Sequence, residues 1–591
     1  MADADLMLFN GRIATQDASR RVIQSLAIKN GRVLATGTDA EMSRYSGTRI
    51  DLRGRTAIPG LIDSHSHPIR GGLHYNLELR WDGVPSLADA LRMLREQAQR
   101  TPAGQWVRIV GGWSEFQFAE RRMPTLEELN AAAPETPVFV LNLYAMALLN
   151  GAALRAVGYD RNTPNPPGGE IQRNGAGDPT GLLIARPNAF ILYSTLGKAP
   201  KLSFEHQMNS TRHFMRELNR LGVTSVIDAG GGFQNYPQDY EVVRKLASEN
   251  LCTIRLAANL FTQRQGQELD DFAAWTKSVR AGEGDDVFRI NGAGEMLVYS
   301  AADFEDFLEP RPEVPARMEG DLAAVVRLLA EHRWPFRLHA TYDETIGRAL
   351  NVFESVHREV PLEGLHWFID HAETITPRNI ERIRVLGGGI AVQHRMAYQG
   401  EHFIARYGTA KAKESPPIRR MLASGVPVGA GTDATRVASY NPFVSLYWLV
   451  TGRTVGGTSL YDDSNRLDRM EALRLWTVGS AWFSDEQGKK GALVPGMLAD
   501  LAVLSSDYFS IPDEAIKHLE SVLTIVGGKV VHATEEFRPL APPPLPVLPE
   551  WSPVARHRGY HTLPSRSTTV PVSARVECTQ SLWGNCGCFA F

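Results

Sequence analysis

The sequence predicts an α/β protein: a (β/α)8 TIM-type barrel joined to a small composite β-sandwich built from the N- and C-terminal segments. Two observations carry this prediction. From Ala57 to Trp482, short apolar runs alternate with helix-like segments, which is typical of repeated βα units. Near both ends of the 591-residue chain, short β-rich runs are separated by Asn-Gly and Gly-Gly turns.

The end segments are predicted to share one sheet system. Asn10-Gly11 and Asn30-Gly31 suit tight hairpin turns because both residue types tolerate positive φ. Gly527-Gly528 separates two similar β-rich runs near the other end. We therefore expect residues 1–56 plus 490–537 to form the small β-domain, and residues 57–489 to form the barrel. The Pro-rich composition that begins at residue 538 predicts an extended tail over 538–591.

The central region offers nine candidate strands, one more than a closed eight-stranded barrel needs. Which of them is additional stays open at this stage. The candidates are Ala57–Ile62, Pro137–Leu141, Thr224–Asp228, Thr253–Leu256, Val287–Asn291, Phe336–His339, Trp367–His371, Gly389–Gln393 and Val426–Gly429.

Composition and charge narrow the class of partner. Lys and Arg number 63 against 66 Asp and Glu, so the net charge is -3, and no dense basic block favours nucleic acid or an anionic membrane. No apolar run approaches the roughly 20 residues of a membrane span, and the acidic N-terminus does not resemble a signal peptide. We expect a cytoplasmic protein with a small-molecule substrate, and a homo-oligomer is an open alternative.

Cysteine usage argues against a disulfide framework. The chain has four cysteines, and Cys578, Cys586 and Cys588 lie close to its end. Their spacing is not that of a zinc-binding motif, so free thiols or a terminal cross-link are favoured over a soft-metal site.

The strongest chemical signal is His65-Ser66-His67, which follows an apolar run that ends in Gly60-Leu61-Ile62. Residues two apart on a strand point to the same face, so the two imidazoles can reach one ion. Neutral imidazole nitrogens suit zinc or a similar metal. A histidine-rich surface turn is the alternative, but the apolar lead-in argues against it.

The segment from Pro59 to His67, followed by His339, His371 and Asp433 at the ends of later candidate strands, resembles the metal-dependent amidohydrolase superfamily, in the branch of N-substituted formamide deformylase. The resemblance covers about residues 5 to 535. It implies that one or two divalent ions, with zinc expected, lie on His65, His67, His339 and His371 with Asp433 beside them. Taken alone, either later histidine would be read as a core histidine and Asp433 as a helix cap.

One position departs from the family pattern. Binuclear members bridge two metals with a carbamylated lysine on the fourth strand, and the segment from Phe288 to Glu295 contains no lysine. Either Glu295 bridges in its place, or the site holds a single ion and Glu295 lies on an exposed acidic turn.

The resemblance also implies the reaction. A metal ion lowers the pKa of bound water from about 15.7 toward about 7. Asp433 would accept the proton of this water and pass it to the departing nitrogen, and His394 could polarise the carbonyl oxygen. Trp113, Tyr144 and Met146 are candidate pocket walls, with core packing as the alternative, and they favour an N-substituted amide or formamide with a hydrophobic group.

Other functions are alternatives to amide hydrolysis. Deaminases of aminated heterocycles carry His-x-x-Glu on the fifth strand, whereas Tyr342 is the third residue after His339. Esters or lactones are further substrates for the same chemistry. A non-catalytic barrel scaffold is the alternative from another class, and the complete set of His and Asp residues argues against it.

Overall fold

A computed structural model of the chain describes residues 2–167, 169–185, 189–303, 307 and 313–561. At its centre lies a parallel eight-stranded sheet in which each strand pairs with the next along the chain. In chain order, the barrel strands one to eight are Leu61–Ser66, Val223–Asp228, Arg255–Leu260, Phe288–Ala293, Phe336–Ala340, Trp367–His371, Gly389–Gln393 and Val428–Gly431.

The eighth strand returns to the first, so the sheet is nearly closed. The backbone N–H groups of Thr432 and Asp433 donate to the carbonyl oxygen of His65 at 3.1 and 2.8 Å. A Cβ atom on Gly431 would lie 2.6 Å from the backbone nitrogen of His65 and 2.8 Å from Asp63 Oδ1. Only glycine allows this approach, which brings Asp433 to the histidines of the first strand.

The additional candidate strand belongs to an insert between the first and second barrel strands. The segment predicted as Pro137–Leu141 forms a strand over Val138–Asn142, which pairs within a separate sheet. The five strands of the insert are Val107–Val110, Val138–Asn142, Met146–Leu149, Gly169–Arg173 and Pro179–Ala185. Sequence periodicity could not separate it from the barrel strands, because a short buried strand reads alike in either sheet.

Helices follow the barrel strands, and local signals begin and end several of them. The Ser203 side chain accepts from the His206 N–H at the start of Phe204–Arg220, and Gly452 ends Pro442–Thr451 with φ of 67°. The barrel helices are Pro68–His74, Phe204–Arg220, Glu241–Ser248, Glu268–Ser278, Met318–Glu331, Asp343–Glu359, Pro377–Val385, Met396–Tyr407, Thr409–Ala412, Ile418–Ser424, Pro442–Thr451 and Arg469–Arg474. The others are Asp39–Met42, Leu87–Arg100, Leu126–Ala132, Gly151–Val157, Phe190–Leu196 and Val554–His557.

The two ends of the chain share a sheet, through Ala57 paired with Val503. A six-stranded sheet and a four-stranded sheet pack around one apolar core that draws on both ends. The six-stranded sheet contains Arg12–Ala14, Val22–Ile23, Thr56–Pro59, Leu501–Leu504, Ser521–Val526 and Lys529–Ala533, and the other contains Ala2–Phe9, Ser25–Lys29, Arg32–Gly37 and Tyr45–Asp51. The expected boundary at residue 56 falls inside the strand Thr56–Pro59 of this sheet, so we propose that the first segment of the unit extends to residue 59 and the second covers residues 490–537.

The first part of the Pro-rich segment lies against the body of the protein. Ser552 Oγ donates to the carbonyl oxygen of Asn76 at 2.6 Å, and the Tyr560 N–H donates to Glu217 Oε1 at 2.8 Å. Tyr560 is 7% exposed and belongs to the main hydrophobic core. Cys578, Cys586 and Cys588 lie outside the described residues. In the described part of the chain, we find no helix with the length and apolar character of a membrane span.

Candidate metal centre

The barrel delivers six polar side chains to one point at the carboxyl ends of its strands. His65 and the following His67 come from the first strand, His339 lies in the fifth, and His371 is the last residue of the sixth. Glu295 and Asp433 each follow the end of a strand by two residues, the fourth and the eighth respectively. All parallel strands end at the same mouth of a barrel, so residues far apart in sequence meet there.

Glu295 lies at the centre of this cluster. Its carboxylate oxygens are 3.6 Å from His65 Nε2, 3.7 Å from His67 Nε2, 3.2 Å from His339 Nδ1 and 3.3 Å from His371 Nε2. The alternative of an exposed acidic turn is therefore wrong, because the Glu295 side chain is 7% exposed and faces four imidazoles.

Asp433 closes the cluster on the side of the first strand. Its Oδ1 lies 3.1 Å from His67 Nε2 and 3.5 Å from His65 Nε2, and its Oδ2 lies 3.9 Å from His371 Nδ1. Asp433 has φ of 57° and His371 has φ of 76°. Left-handed backbone is costly for such residues and is concentrated at functional sites. The left-handed backbone of His371 affects where its side chain points. Asp370 faces the barrel interior, and in a regular strand the side chain of the next residue, His371, would point outward.

Buried polar groups outside the cluster contact three of its histidine rings and orient them. His65 Nδ1 lies 2.9 Å from Asp370 Oδ1, and Asp370 accepts from Arg337 Nε at 2.7 Å. His339 Nε2 lies 3.5 Å from Asp303 Oδ1, and His67 Nδ1 contacts the carbonyl oxygen of Gly230. Such contacts fix which ring nitrogen faces the centre. Sequence reasoning missed Arg337, although it lies two residues before His339 and so shares its inward face.

The electrostatics of the centre favour a cation. Burial opposes ionisation of Glu295, but the charge of His65 and hydrogen bonds from His339 and His371 hold the pKa of Glu295 well below its usual value. Burial likewise lowers the pKa of His65, yet the charges of Asp370 and Glu295 raise it to about 10 against the opposing charge of Arg337. The buried carboxylates therefore remain charged and attract a positive group.

The donor set fits a divalent metal ion. Three groups of residues could each hold an ion, because the ligand atoms within a group lie within 4.8 Å of one another. These groups are His65, His67 and Glu295; His65, His371 and Asp433; and Glu295, His339 and His371. His65 Nε2 and His371 Nδ1 are buried and have no hydrogen-bond partner among the described residues. A buried nitrogen without a partner costs free energy, and a metal ion would satisfy it.

His394 lies in the same region but outside these groups. Its Nε2 is 2.9 Å from the carbonyl oxygen of Ser439. A carbonyl only accepts, so this nitrogen carries the proton, and burial lowers the pKa of His394 to about 4. The neutral ring then has no second N–H to donate, which argues against the predicted role of His394 in polarising a substrate carbonyl.

The three predicted pocket residues occupy different surroundings. Trp113 is fully buried in the core of the insert, where its ring packs against Trp81 and Phe118 and its Nε1 donates to the carbonyl oxygen of Leu141. For Trp113, these contacts support the core-packing alternative and not a pocket wall. Met146 is half-buried at the start of its strand.

Tyr144 lies beside the metal centre. Burial, the neighbouring Tyr193 and the negative charges of Asp433 and Glu295 together raise the pKa of the Tyr144 phenol well above its usual value. The insert is held there by its contact with the loop after the eighth strand, where the Gly112 N–H donates to the carbonyl oxygen of Arg436 at 3.2 Å.

Comparisons with known proteins agree with this architecture. The chain is 27% identical over 549 residues to Protein LONG AFTER FAR-RED 3 of Arabidopsis thaliana, covering 90% of this chain and 92% of the relative. It is 25% identical over 550 residues to N-substituted formamide deformylase of Arthrobacter pascens, covering 89% and 97%. A solved structure of an uncharacterized metal-dependent hydrolase from Pyrococcus furiosus has the same fold, with a TM-score of 0.60 and 22% identity over 85% of this chain and 100% of that one.

A family model supports the same relationship over most of the sequence. The model described as amidohydrolase family matches residues 48–532, which include all six side chains of the metal centre. This chain therefore belongs to the amidohydrolase family.

Proposed function

We propose that this protein hydrolyses the C–N bond of an N-substituted amide or formamide, with zinc held by His65, His67, His339, His371, Glu295 and Asp433. The observation that carries the proposal is the meeting of four imidazoles and two carboxylates, from five barrel strands or the loops after them, within 4 Å contacts at one barrel mouth. The similarity to a formamide deformylase supports the choice of substrate class.

When bound, the metal supplies a Lewis acid that activates water at neutral pH. Asp433 contacts His65 and His67 through Oδ1, and this placement suits it to accept the water proton and deliver it to the departing nitrogen. Tyr144 is near enough for the charges of Asp433 and Glu295 to act on its phenol, and we place it in the wall of the substrate site. Asp370 and Arg337 hold His65 in its ring orientation.

We propose that two ions are bound and that Glu295 bridges them. Support comes from geometry, because Glu295 belongs to two of the three possible ligand groups and each of these groups contains different histidines. Replacement by Glu295→Gln is expected to lower the metal content from two equivalents to one or fewer, measured by plasma emission spectroscopy on the purified chain. A single equivalent in both wild type and variant would remove the bridging role.

The test of the reaction is a panel of formyl-, acyl- and carbamoyl-amines offered to zinc-loaded protein, with release of the free amine measured. We expect hydrolysis of at least one hydrophobic formamide or amide, and loss of at least about 10³-fold in kcat in His65→Ala. Release of ammonia from aminated heterocycles without amide cleavage would instead establish a deaminase. Activity retained in His65→Ala would show a contaminant or another site.

A further inference from the structure

Two buried arginines close in sequence to the metal-centre residues have no ion-pair partner in the part of the chain that the structure describes. Arg70 lies in the helix that begins directly after His67, and Arg436 follows Asp433 by three residues. Their exposed fractions are 4% and 5%. Each therefore carries a permanent positive charge in a nearly dry environment, which is costly unless an anion compensates it.

Among the described residues, no carboxylate lies at ion-pair distance from either guanidinium. Arg70 Nη1 donates to the carbonyl oxygen of Gly232 at 3.1 Å, but its Nε and Nη2 have no hydrogen-bond partner in the described part of the chain. Arg436 likewise has unpartnered Nε and Nη1 atoms. Asp228, whose charge also acts on Arg70, is engaged by the N–H groups of Ile69 and Gly230 instead.

Four other buried arginines show a contrast. In each of them a carboxylate oxygen lies within 3 Å of the guanidinium: Arg80 with Glu78 and Asp82, Arg337 with Asp370, Arg395 with Glu373, and Arg255 with Asp500. Arg108 resembles Arg70 and Arg436 instead: it is buried, it has no carboxylate at ion-pair distance among the described residues, and its Nη2 donates to the carbonyl oxygen of Pro200. Arg70 and Arg436 differ from Arg108 in that they lie within three residues of His67 and Asp433 in sequence.

Arg70 and Arg436 share one aromatic neighbour. Both guanidinium groups lie over the Tyr193 ring, 5.8 and 4.6 Å from its centroid. Burial and the nearby charge of Arg70 lower the pKa of Arg436. The pKa of His74 falls to about 3, through burial first and then the charges of Arg108, Arg436, Lys201 and Arg70. This side of the site has a strongly positive potential.

Arg70 lies next to a histidine of the candidate metal centre. A Cβ atom on Gly231 would be 3.0 Å from Arg70 Nη1 and 3.2 Å from His67 Nδ1, so the arginine and a metal-site histidine border the same glycine. Tyr193 also contacts Tyr144 and Phe233, with ring centroids 6.1 and 5.4 Å apart, and Phe233 is 48% exposed. An aromatic wall therefore leads from the surface toward the two cations.

We propose that Arg70 and Arg436 bind a carboxylate of the substrate, so that the preferred substrates are N-formylated or N-acylated amino acids and related amides that carry a carboxylate beside an apolar group. Guanidinium groups match a carboxylate in shape and charge, and such hydrogen bonds are the strong ones. That the bound carboxylate belongs to a substrate rests on the proposed amide hydrolysis. Binding of a carboxylate to the two arginines can be tested without turnover.

The binding test uses phenylacetate and its neutral counterpart phenylacetamide as probes, with isothermal titration calorimetry on the full chain. Measurements on the protein as purified and after chelator treatment separate binding at the arginines from coordination to a metal. We expect phenylacetate to bind the chelator-treated protein, with a Kd at least about tenfold higher in Arg70→Gln and Arg436→Gln. Arg436→Lys should retain part of the affinity because it keeps the charge.

The matched control is Arg384→Gln, which removes a guanidinium from an ion pair with Glu381 on the outside of the barrel. It should leave the Kd of phenylacetate unchanged. Circular dichroism of each variant checks that the fold is kept. Equal affinity for phenylacetamide and phenylacetate in wild type, or unchanged phenylacetate binding in both glutamine variants, would overturn the anion site.

A kinetic comparison then separates this inference from the proposed function. N-formylphenylalanine and N-formylphenethylamine differ only in the carboxylate, and we expect kcat/KM to be at least about tenfold higher for the former, mainly through KM. Arg436→Gln should reduce that ratio. Hydrolysis of both compounds at equal kcat/KM would support the proposed function and refute the anion site. Arginine-dependent phenylacetate binding without hydrolysis of any amide would do the reverse.

Discussion

At the scale of single residues, the candidate metal centre depends on side chains that are not themselves candidate ligands but orient the ligands. Asp370 holds His65 by its Nδ1 atom and neutralises Arg337 inside the barrel, and all three are fully buried. A carboxylate behind a histidine fixes the ring and increases its strength as a ligand. The affinity of the centre for metal is thus set partly by Asp370.

Asp370→Asn is expected to weaken zinc binding by about 10- to 100-fold. Asparagine keeps the size of the side chain but cannot neutralise Arg337 or attract the His65 ring as strongly. Competition with a chelating dye measures the affinity. The control is Asp485→Asn, because the Asp485 carboxylate lies 3.2 Å from His366 Nε2 at the surface and is 68% exposed. Equal zinc affinity in wild type and Asp370→Asn would contradict this role.

At the scale of secondary-structure elements, the site depends on how closely the first and eighth strands approach. Asp63 accepts from Thr432 Oγ1 at 2.6 Å, and the next residue of that loop, Asp433, donates its N–H to His65. Gly431 lies at the point of contact, and no space is left there for a side chain. Closure of the barrel and assembly of the metal centre are therefore one structural event.

Gly431→Ala is expected to reduce both the melting temperature and the zinc content. Its Cβ would fall 2.6 Å from the backbone nitrogen of His65, so the two strands must separate. Differential scanning calorimetry and metal analysis measure the two effects. Gly320→Ala is the control, since Gly320 lies in the exposed face of Met318–Glu331 with no atom within 4 Å of the added methyl group, and alanine favours a helix. If Gly431→Ala melted no lower than Gly320→Ala, the closure argument would be refuted.

At the scale of the whole molecule, the C-terminal part of the chain seals the other end of the barrel. Lys490 is 2% exposed, and its Nζ lies 2.5 Å from Ser225 Oγ on the second barrel strand. Glu486 pairs with Lys490 and lies 3.3 Å from Arg289 Nη2 on the fourth strand. Burial raises the pKa of Glu486, but the charges of Lys490 and Arg289 outweigh burial and lower the pKa of this carboxyl to about 2.

This pair predicts a pH-dependent stability. A carboxyl whose pKa falls on folding stabilises the protein above its unfolded value of about 4.5, and that stabilisation is lost as the pH falls toward about 2. Glu486→Gln should lower the free energy of unfolding by about 3 kcal/mol at pH 7, because Lys490 keeps an unpaired buried charge. Below pH about 4.5 the difference from wild type should shrink, since Glu486 takes up a proton in the unfolded wild-type chain while it is still charged in the folded protein.

Urea denaturation of both proteins between pH 3.5 and pH 7 measures this difference. Glu381→Gln, which removes an exposed carboxylate from the outside of the barrel, is the control and should stay close to wild type at every pH. A Glu486→Gln penalty that did not change with pH would exclude protonation of this carboxyl as its cause.

The sequence by itself predicted the repeated βα architecture from periodicity and a metal-binding pair from the short motif His65-Ser66-His67. The resemblance to the amidohydrolase superfamily added His339, His371 and Asp433 to that pair, and the role of Glu295 stayed open. The sequence could not separate the strand Val138–Asn142 of the insert from the barrel strands, because local pattern does not encode which sheet a strand joins.

Only the tertiary structure decided the surroundings of the site. It showed that Glu295 faces four histidines and that the Nε2 proton of His394 is donated to the carbonyl oxygen of Ser439. It also showed that Arg70 and Arg436 lie over one tyrosine ring and have no acidic partner among the described residues. The physical reason is that charge pairing and ring orientation depend on distances between residues hundreds of positions apart. Those distances are fixed by barrel closure and by the packing of the insert, and neither is written in any local run of residues.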